Sequence, residues 1–218
     1  MNIAIVSKKG GVGKSQVCLL LYEALRQAKK TVRVHDGNGE QGTISKSLRS
    51  IYGGEVIPIT GDFDFHIWDT PPTLEHTATS TSVLTANIVL VITSTEPADI
   101  WETRDTIQFV AEKNPTAVLR VVFNKVQKGR VLGRHVDEHA KKLSAPTLPV
   151  QLTTRECYKH AIAQGWEALD NAAREETFEF ALAVLSLRTA PVAAPTTAPK
   201  EMHPVELDKD VVQLNEDD

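Results

Sequence analysis

Residues 8–15 read KKGGVGKS, and the rest of the chain can be interpreted outward from this stretch. The apolar run IAIV at residues 3–6 precedes it, and a helix-like pattern covers residues 16–30 after it. This order predicts a strand, a glycine-rich turn and a helix. Because the glycines of the turn carry no Cβ, successive backbone N–H groups can point inward and bind phosphate oxygens, aided by the positive end of the helix dipole.

Two side chains at the end of the loop add to this phosphate site. Lys14 can reach the β- and γ-phosphates of a nucleotide, and the hydroxyl of Ser15 can bind Mg²⁺. We therefore predict a nucleotide site at the start of the first helix. Its predicted contacts within the loop are Gly10, Gly11, Val12, Gly13, Lys14, Ser15 and Gln16.

The loop departs from the common pattern G-x-x-x-x-G-K-[ST], because Lys8 stands where the first glycine is expected. With Lys9 at the front of KGGVGKS, the motif resembles the deviant Walker A loop of the ParA/MinD family of P-loop ATPases. The resemblance implies ATP and Mg²⁺ as cofactors, and Lys9 and Lys14 as catalytic residues. It also implies an ATP-sandwich homodimer, in which Lys9 reaches the nucleotide bound by the partner subunit.

An acidic position follows the second predicted strand, residues 31–35. A carboxylate at Asp36 can orient the attacking water and share the Mg²⁺ shell. The family's loop usually reads D-x-D-P-Q-G, whereas here it is one residue longer and has Asn38 in place of a second acid. We expect Asp36 to be the catalytic carboxylate and a magnesium ligand, with the placement of Gln41 left open.

A second acid, Asp69, ends the apolar strand at residues 63–69 and is followed by Thr-Pro-Pro. This segment resembles the family's Walker B strand, which implies that Asp69 holds Mg²⁺ through water, opposite Ser15. Asn124 follows a later strand and resembles the asparagine with which the family contacts adenine. A late element at residues 155–165, with the pattern R-x-x-Y-x-x-A-x-x-x-G, also matches the family.

The predicted elements alternate between strands and helices, with the chemistry-bearing residues at the carboxyl ends of strands. That pattern predicts a doubly wound α/β fold, with a mostly parallel sheet flanked by helices as in P-loop NTPases. Further strands are predicted at residues 55–59, 87–93, 118–123 and 147–150, and further helices at residues 43–51, 98–113 and 171–188. The last helix has a predicted cap at Asp170 or Asn171 and recurring apolar residues at Phe178, Leu182 and Leu185.

The composition favours a cytoplasmic globular protein. The 218 residues are 41% hydrophobic, which suits one sizeable domain with a tail. No apolar run approaches the ~18 residues that a membrane span needs, and the chain does not begin with a signal-peptide pattern. Cys18 and Cys157 are isolated, so we expect buried thiols rather than a disulfide or a zinc site.

The chain is expected to divide into an ATPase domain at residues 1–188 and a tail at residues 189–218. The family resemblance covers residues 1–187 and points to the short ParA type without an N-terminal helix-turn-helix extension. The tail is rich in Pro, Ala and Thr and then acidic, with two lysines against seven acids, so we expect a disordered linker and tail. It can serve solubility, or act as a partner-binding or autoregulatory segment that competes with polyanions.

A basic bias marks residues 120–159, which hold nine lysines and arginines against three acids. Such a surface can neutralise DNA phosphates without reading bases, which gives salt-sensitive, sequence-independent binding. In ParA relatives this binding maps to late basic residues and requires the ATP dimer. The predicted DNA contacts are Lys128, Arg130, Arg134, Lys141, Lys142, Arg155 and Lys159.

The favoured hypothesis is a DNA-partition or cargo-positioning ATPase. An ATP-bound dimer would coat nucleoid DNA, and a ParB-like or other adaptor protein would stimulate hydrolysis. A MinD-like membrane ATPase is an alternative, but it needs a basic amphipathic C-terminal helix where this chain is acidic, so no membrane partner is expected. A second alternative is a metabolic P-loop ligase or kinase of the dethiobiotin-synthetase type.

Overall fold

The computed structural model describes residues 1–39, 42–53, 61–127 and 136–187. Within these residues the strands are β1 (Asn2–Val6), β2 (Val32–Asp36), β3 (Phe65–Asp69), β4 (Ile88–Thr93) and β5 (Val118–Phe123). They form one sheet in the order β2-β3-β1-β4-β5, and every neighbouring pair is parallel. The predicted parallel α/β fold is therefore confirmed.

Helices connect these strands and cover the sheet. They are α1 (Lys14–Gln27), α2 (Thr43–Tyr52), α3 (Thr77–Thr85), α4 (Pro97–Lys113), α5 (Val136–Lys141), α6 (Glu156–Gln164) and α7 (Asn171–Ser186), with a 3₁₀ turn at Gly165–Ala168. In the part of the chain that the structure describes, none of them is long and apolar enough to cross a membrane. Cys18 and Cys157 are both free thiols, the first of them buried and the second half-buried.

Alternate residues of β1 enter two separate cores. Ile3 and Ile5 pack in a cluster that includes α1 and α7, whereas Ala4 and Val6 pack in a cluster that includes α3 and α4. The sheet is thus covered on both faces. This two-sided cover explains why β4 is an apolar run in which every residue is buried, with no alternation toward solvent.

The strand order places the first loop at the point where the winding of the sheet reverses. From β1 the chain passes to β2 and β3 on one side and then to β4 and β5 on the other. In open parallel sheets, the loops that leave such a point diverge and open a crevice at the carboxyl ends of the strands. Residues 8–13, which connect β1 to α1, lie in that crevice with the first turn of α1.

The chain near residue 147 runs beside β5 without forming a strand. Residues 147–150 contribute a single isolated bridge, Thr147 with Val121, so a strand there is wrong. The Leu148 N–H donates to the Val121 carbonyl at 2.8 Å, but the next N–H that donates to β5 is that of Leu152, which binds the Phe123 carbonyl at 2.9 Å. The segment therefore runs beside β5 as extended chain held by single hydrogen bonds. The predicted strand at residues 55–59 lies outside the described residues.

The last helix, α7, begins as predicted but buries a different face. Asp170 caps it, because its Oδ1 accepts a hydrogen bond from the Ala173 N–H at 2.8 Å. The apolar positions Phe178 and Leu182 are 43% and 68% exposed, so they do not form the core-facing stripe. The buried face consists of Ala173, Glu176, Thr177, Phe180, Ala181 and Val184.

A buried carboxylate on that face ties α7 to the late sequence element. Glu176 accepts hydrogen bonds from the Tyr158 hydroxyl at 2.9 Å and from the backbone N–H of Thr153 at 2.8 Å. Its second oxygen pairs with the Arg155 guanidinium at 3.2 Å. Arg155 and Tyr158, which the sequence marked as part of one motif, therefore converge on an acid that the motif does not contain.

We predict that Glu176→Ala lowers the free energy of unfolding by about 2–4 kcal/mol, because it leaves Tyr158 and Arg155 without their buried acceptor. Urea denaturation followed by circular dichroism measures this loss. Glu179→Ala, at an exposed position of the same helix, is the matched control and should change stability by less than about 0.5 kcal/mol. Equal losses in both variants would contradict the role of Glu176.

Candidate functional site

The loop between β1 and α1 turns through two glycines in the left-handed region. Gly11 has φ 81° and Gly13 has φ 95°, and Gly13 forms the N-cap of α1. A Cβ on Gly13 would collide with the side-chain amide of Asn124. Gly13 is therefore required twice, once for its backbone angle and once for its lack of a side chain.

Lys14 lies folded beneath this loop. Its side chain is almost fully buried, and its Nζ donates to the carbonyl oxygens of Ser7 and Lys9, both at 3.2 Å. Burial lowers the pKa of Lys14, while the negative charge of Asp69 acts in the opposite direction. In the described part of the chain this ammonium hydrogen-bonds only to two neutral carbonyls, and in its desolvated position it is a prepared partner for an anion.

Ser15 and Asp69 meet across the crevice, as the sequence predicted. The Ser15 hydroxyl donates to Asp69 Oδ2 at 2.5 Å. Asp69 is 1% exposed, and its Oδ1 has no hydrogen-bond partner among the residues that the structure describes. Burial raises the pKa of Asp69 to about 6, and the nearby charge of Asp36 adds to this shift. A buried carboxylate oxygen without a partner beside a hydroxyl suits a hard cation such as Mg²⁺, which prefers oxygen ligands.

Asp36 stands directly beside Asp69 in the register of β2 and β3. Its Oδ1 accepts from the Asn38 N–H at 2.9 Å, and its Oδ2 accepts from the Ser45 N–H at 3.0 Å. The second contact satisfies a free backbone donor in the first turn of α2. A Cβ on Gly42 would overlap the Asp36 carboxylate, so glycine is needed where the loop returns to the helix. Gln41 lies outside the described residues.

An open cleft of about 390 Å³ lies over the loop. Six of the predicted nucleotide contacts line it, namely Gly10, Gly11, Gly13, Lys14, Ser15 and Gln16. Val12 instead is 3% exposed and faces the core, so only its backbone can take part. The cleft is completed by residues from other elements, among them Asn38, Thr43, Thr70, Pro72 and Lys125.

The end of β5 clamps the loop from the opposite side. Asn124 is fully buried, and its Nδ2 donates to the Val12 carbonyl at 2.9 Å. Lys125 has φ 58°, and its Nζ donates to the Gly11 carbonyl at 2.6 Å. Asn124 therefore shapes the loop from beneath, and its contact with adenine stays a prediction. Lys125, which lines the cleft, was not predicted as a nucleotide contact. Its position directly after Asn124 is the feature of the sequence that could have indicated it.

Lys8 and Lys9 both reach across to α4. Lys9 Nζ pairs with Asp99, while Lys8 Nζ lies 2.9 Å from Glu102 Oε2 and 2.7 Å from Asp105 Oδ2. These acids were not predicted as site residues, although the acidic first half of the helix is visible in the sequence. The structure thus brings the two unusual lysines of the loop onto one acidic helix face.

The predicted DNA contacts divide into three groups. Lys128, Arg130 and Arg134 lie outside the described residues. Lys141 and Lys142 are exposed at the end of α5. Arg155 is committed to Glu176 and only 26% exposed at its side chain, whereas Lys159 is 67% exposed and pairs with Glu156 at 2.8 Å. Their contact with DNA stays a prediction.

Comparison with known families and sequences places these motifs in context. The model of the CobQ/CobB/MinD/ParA nucleotide binding domain matches residues 3–166 of this chain. That range contains the loop, both predicted magnesium ligands from β2 and β3, and Asn124. A comparison with curated protein sequences found no significant match.

Several solved structures share the fold. The septum site-determining protein MinD of Pyrococcus horikoshii OT3, complexed with Mg-ADP, aligns with a TM-score of 0.70 and 17% identity over 86% of this chain and 96% of that chain. A putative plasmid partition protein of Borrelia burgdorferi B31 bound to AMPPNP aligns with a TM-score of 0.66 and 16% identity, over 85% of this chain and 98% of that chain. Apo McdA of Cyanothece aligns with a TM-score of 0.66 and 18% identity, over 84% of this chain and 98% of that chain.

The raised pKa of Asp69 predicts a pH-dependent stability of the metal-free protein. An acid whose folded pKa lies above its ordinary value stabilises the fold at low pH, and this contribution is lost as the pH rises through the folded value of about 6. Asp69→Asn removes the buried charge and should raise the free energy of unfolding by about 1–3 kcal/mol at pH 8, with little difference near pH 4.

Urea denaturation across that pH range, with a chelator present, measures the effect. Asp64→Asn is the control of opposite sign, because hydrogen bonds from Thr31 lower the pKa of exposed Asp64. Loss of the Asp64 charge should not stabilise the protein at any pH. A variant Asp69→Asn that is less stable than the parent at pH 8 would contradict the desolvation argument.

Proposed function

Because the chain belongs to the CobQ/CobB/MinD/ParA nucleotide-binding family and carries the deviant Walker A loop of its ParA/MinD members, we propose that it is a ParA-type ATPase. In this proposal it binds ATP and Mg²⁺, dimerises on ATP, binds DNA without sequence preference, and positions or partitions a cargo. The observation that carries the proposal is the second lysine of the loop. Lys14 already occupies the phosphate cradle, and Lys9 points away from it to α4.

Each catalytic role follows from the position of a side chain. Lys14 moves from the carbonyls of Ser7 and Lys9 to the β- and γ-phosphates, where it stabilises the transferred charge. Asp36 orients the attacking water; each of its oxygens keeps a second lone pair, so it can accept from water while still binding the α2 backbone. Lys9 completes the nucleotide site of the partner subunit.

The residues around Asp69 fit a magnesium ion. Ser15 and Asp69 would hold it, and Asp36 lies beside Asp69 in the register of the two strands. When bound, the ion would neutralise negative charge on the phosphate oxygens. The unpartnered Asp69 Oδ1 supports this assignment, because a buried carboxylate oxygen without a donor is costly in the absence of a cation. Binding of the ion would return the pKa of Asp69 toward that of an ordinary ionised acid.

DNA binding is proposed for the basic residues of the second half of the chain. Lys141, Lys142 and Lys159 are exposed, so their charges are accessible to phosphates. A dimer would present two copies of each, which doubles the charge on one surface.

Two further parts of the proposal concern the domain boundary and the location of the dimer. The ATPase domain is proposed to end at residue 188, followed by a linker and acidic tail at residues 189–218. The dimer is proposed to associate with the nucleoid, in a cycle that an adaptor protein regulates.

The two lysines of the loop should fail in different ways. We predict that Lys14→Ala abolishes nucleotide binding or weakens it by at least about 100-fold, because it removes the ammonium inside the cradle. Lys9→Ala should keep the nucleotide affinity of the monomer and prevent ATP-dependent dimerisation. Fluorescent-nucleotide titration and sedimentation velocity measure the two properties separately. Equal loss of nucleotide affinity in both variants would contradict the sandwich dimer.

Binding to random-sequence duplex DNA across a salt series tests the function class. We expect tight, salt-steep binding with ATP and weak binding with ADP or without nucleotide. The slope of the logarithm of the DNA-binding constant against the logarithm of the salt concentration counts the phosphates that the protein neutralises. Replacing both Lys141 and Lys142 by alanine should reduce the magnitude of this slope by about 2 per subunit. Lys113→Ala, at the exposed end of α4, is the matched control and should leave the slope unchanged.

The other outcomes of this experiment separate the alternatives. Absence of DNA binding in every nucleotide state would overturn the proposal. Binding to anionic vesicles with ATP would then support the membrane ATPase, and turnover of ATP with a small-molecule acceptor, without DNA or adaptor, would support the metabolic enzyme.

A further inference from the structure

The Lys9 ammonium does not project freely from the loop. It pairs with Asp99 in the first turn of α4, ninety residues away in the sequence. The Lys9 side chain is 41% exposed, whereas that of Asp99 is only 8% exposed. The pair therefore joins a partly exposed cation to an anion that is buried in the fold. The hydrogen bond to Asp99 raises the pKa of Lys9.

Asp99 is held in place by groups other than Lys9. The Ser94 hydroxyl donates to Asp99 Oδ2 at 2.6 Å, and the Thr103 hydroxyl donates to the Asp99 backbone carbonyl at 2.6 Å. Its position in the first turn of α4 also places its negative charge at the positive end of the helix dipole. The carboxylate thus stays stabilised when Lys9 leaves, which makes the contact reversible.

One ammonium cannot occupy two places. If Lys9 reaches the nucleotide of a partner subunit, it must first leave Asp99. We propose that Asp99 is a positioning residue, which holds Lys9 within its own subunit in the nucleotide-free state and releases it to a second copy of this chain when ATP is bound. This inference rests on the proposed function, because it requires the ATP-dependent dimer.

The contact with Asp99 would set a threshold for dimerisation. The free energy of the Lys9–Asp99 pair must be offset by the contacts that Lys9 gains on phosphate oxygens in the dimer. A ligand shifts such an equilibrium only by its different affinity for the two states, and ATP supplies a phosphate that is absent in ADP. The monomer is consequently favoured until ATP is bound on the facing subunit.

Lys8 provides an internal control for this argument. It pairs with Glu102 and Asp105 on the same helix, but Glu102 and Asp105 are 40% and 58% exposed at their side chains. Exposed pairs of this kind contribute little. Asp105→Asn therefore removes the same charge from the same helix without touching the carboxylate that binds Lys9.

The first experiment tests the contact in the nucleotide-free protein. Lysines are acetylated with limiting acetic anhydride, and the rate at each position is measured by mass spectrometry with Lys113 as reference. Asp99→Asn should raise the rate at Lys9 by about threefold or more, since an unpaired amine is deprotonated more readily. Asp99→Glu, which keeps the charge, should restore slow labelling, and Asp105→Asn should leave Lys9 unchanged. An unchanged rate at Lys9 in Asp99→Asn would overturn the proposal.

The second experiment tests release. With AMPPNP, sedimentation equilibrium should show a dimer Kd about three- to tenfold lower for Asp99→Asn than for the parent chain, with the nucleotide affinity of the monomer unchanged. In a Lys9→Ala background, which is expected to stay monomeric, the same substitution should not restore the dimer, because no ammonium remains to be released.

The two possible failures are distinct. If the parent chain dimerises and Asp99→Asn does not tighten the dimer, the positioning role is wrong and the proposed dimer stands. If every variant stays monomeric with AMPPNP, the dimer of the proposed function is wrong, and the release step fails with it. Circular dichroism of Asp99→Asn confirms that either result comes from a folded protein.

Discussion

The site depends on the close approach of Gly13 to Asn124. The loop can pass over the end of β5 only because Gly13 has a left-handed backbone and no side chain, and the Asn124 amide then holds the Val12 carbonyl. With the loop fixed in this way, the first turn of α1 presents Lys14 and Ser15 to the crevice. Every other contact of the site is arranged around that fixed turn.

Two desolvated charges lie on either side of this turn. Burial lowers the pKa of Lys14 and raises the pKa of Asp69 to about 6, so each ionised form is disfavoured by its surroundings. Phosphate would compensate the first charge and Mg²⁺ the second. The site is thus costly without its ligands, which is the usual relation between stability and function at an active centre. The fold stabilises it through the two large cores that cover the sheet.

The helix α4 links this centre to the protein surface. Its first turn holds Lys9 through Asp99, and its next two turns hold Lys8 through Glu102 and Asp105. Similarity to structures of MinD, a partition protein and McdA, at 16–18% identity, shows that the fold is shared.

The sequence by itself determined the phosphate loop and the parallel α/β fold, because these rest on local patterns. It also placed Asp69 opposite Ser15, through the resemblance of its strand to the Walker B strand, whereas the hydrogen bond between the two side chains was seen only in the structure. It could not show that residues 147–150 fail as a strand, since that depends on how the segment meets β5, where its one bridge is Thr147 with Val121. Only the tertiary structure decided that Asn124 lies beneath the loop, that Arg155 is committed to Glu176, and that Lys9 rests on Asp99. Each of these is a contact between residues far apart in the chain, and sequence periodicity carries no information about which distant charge a side chain will meet.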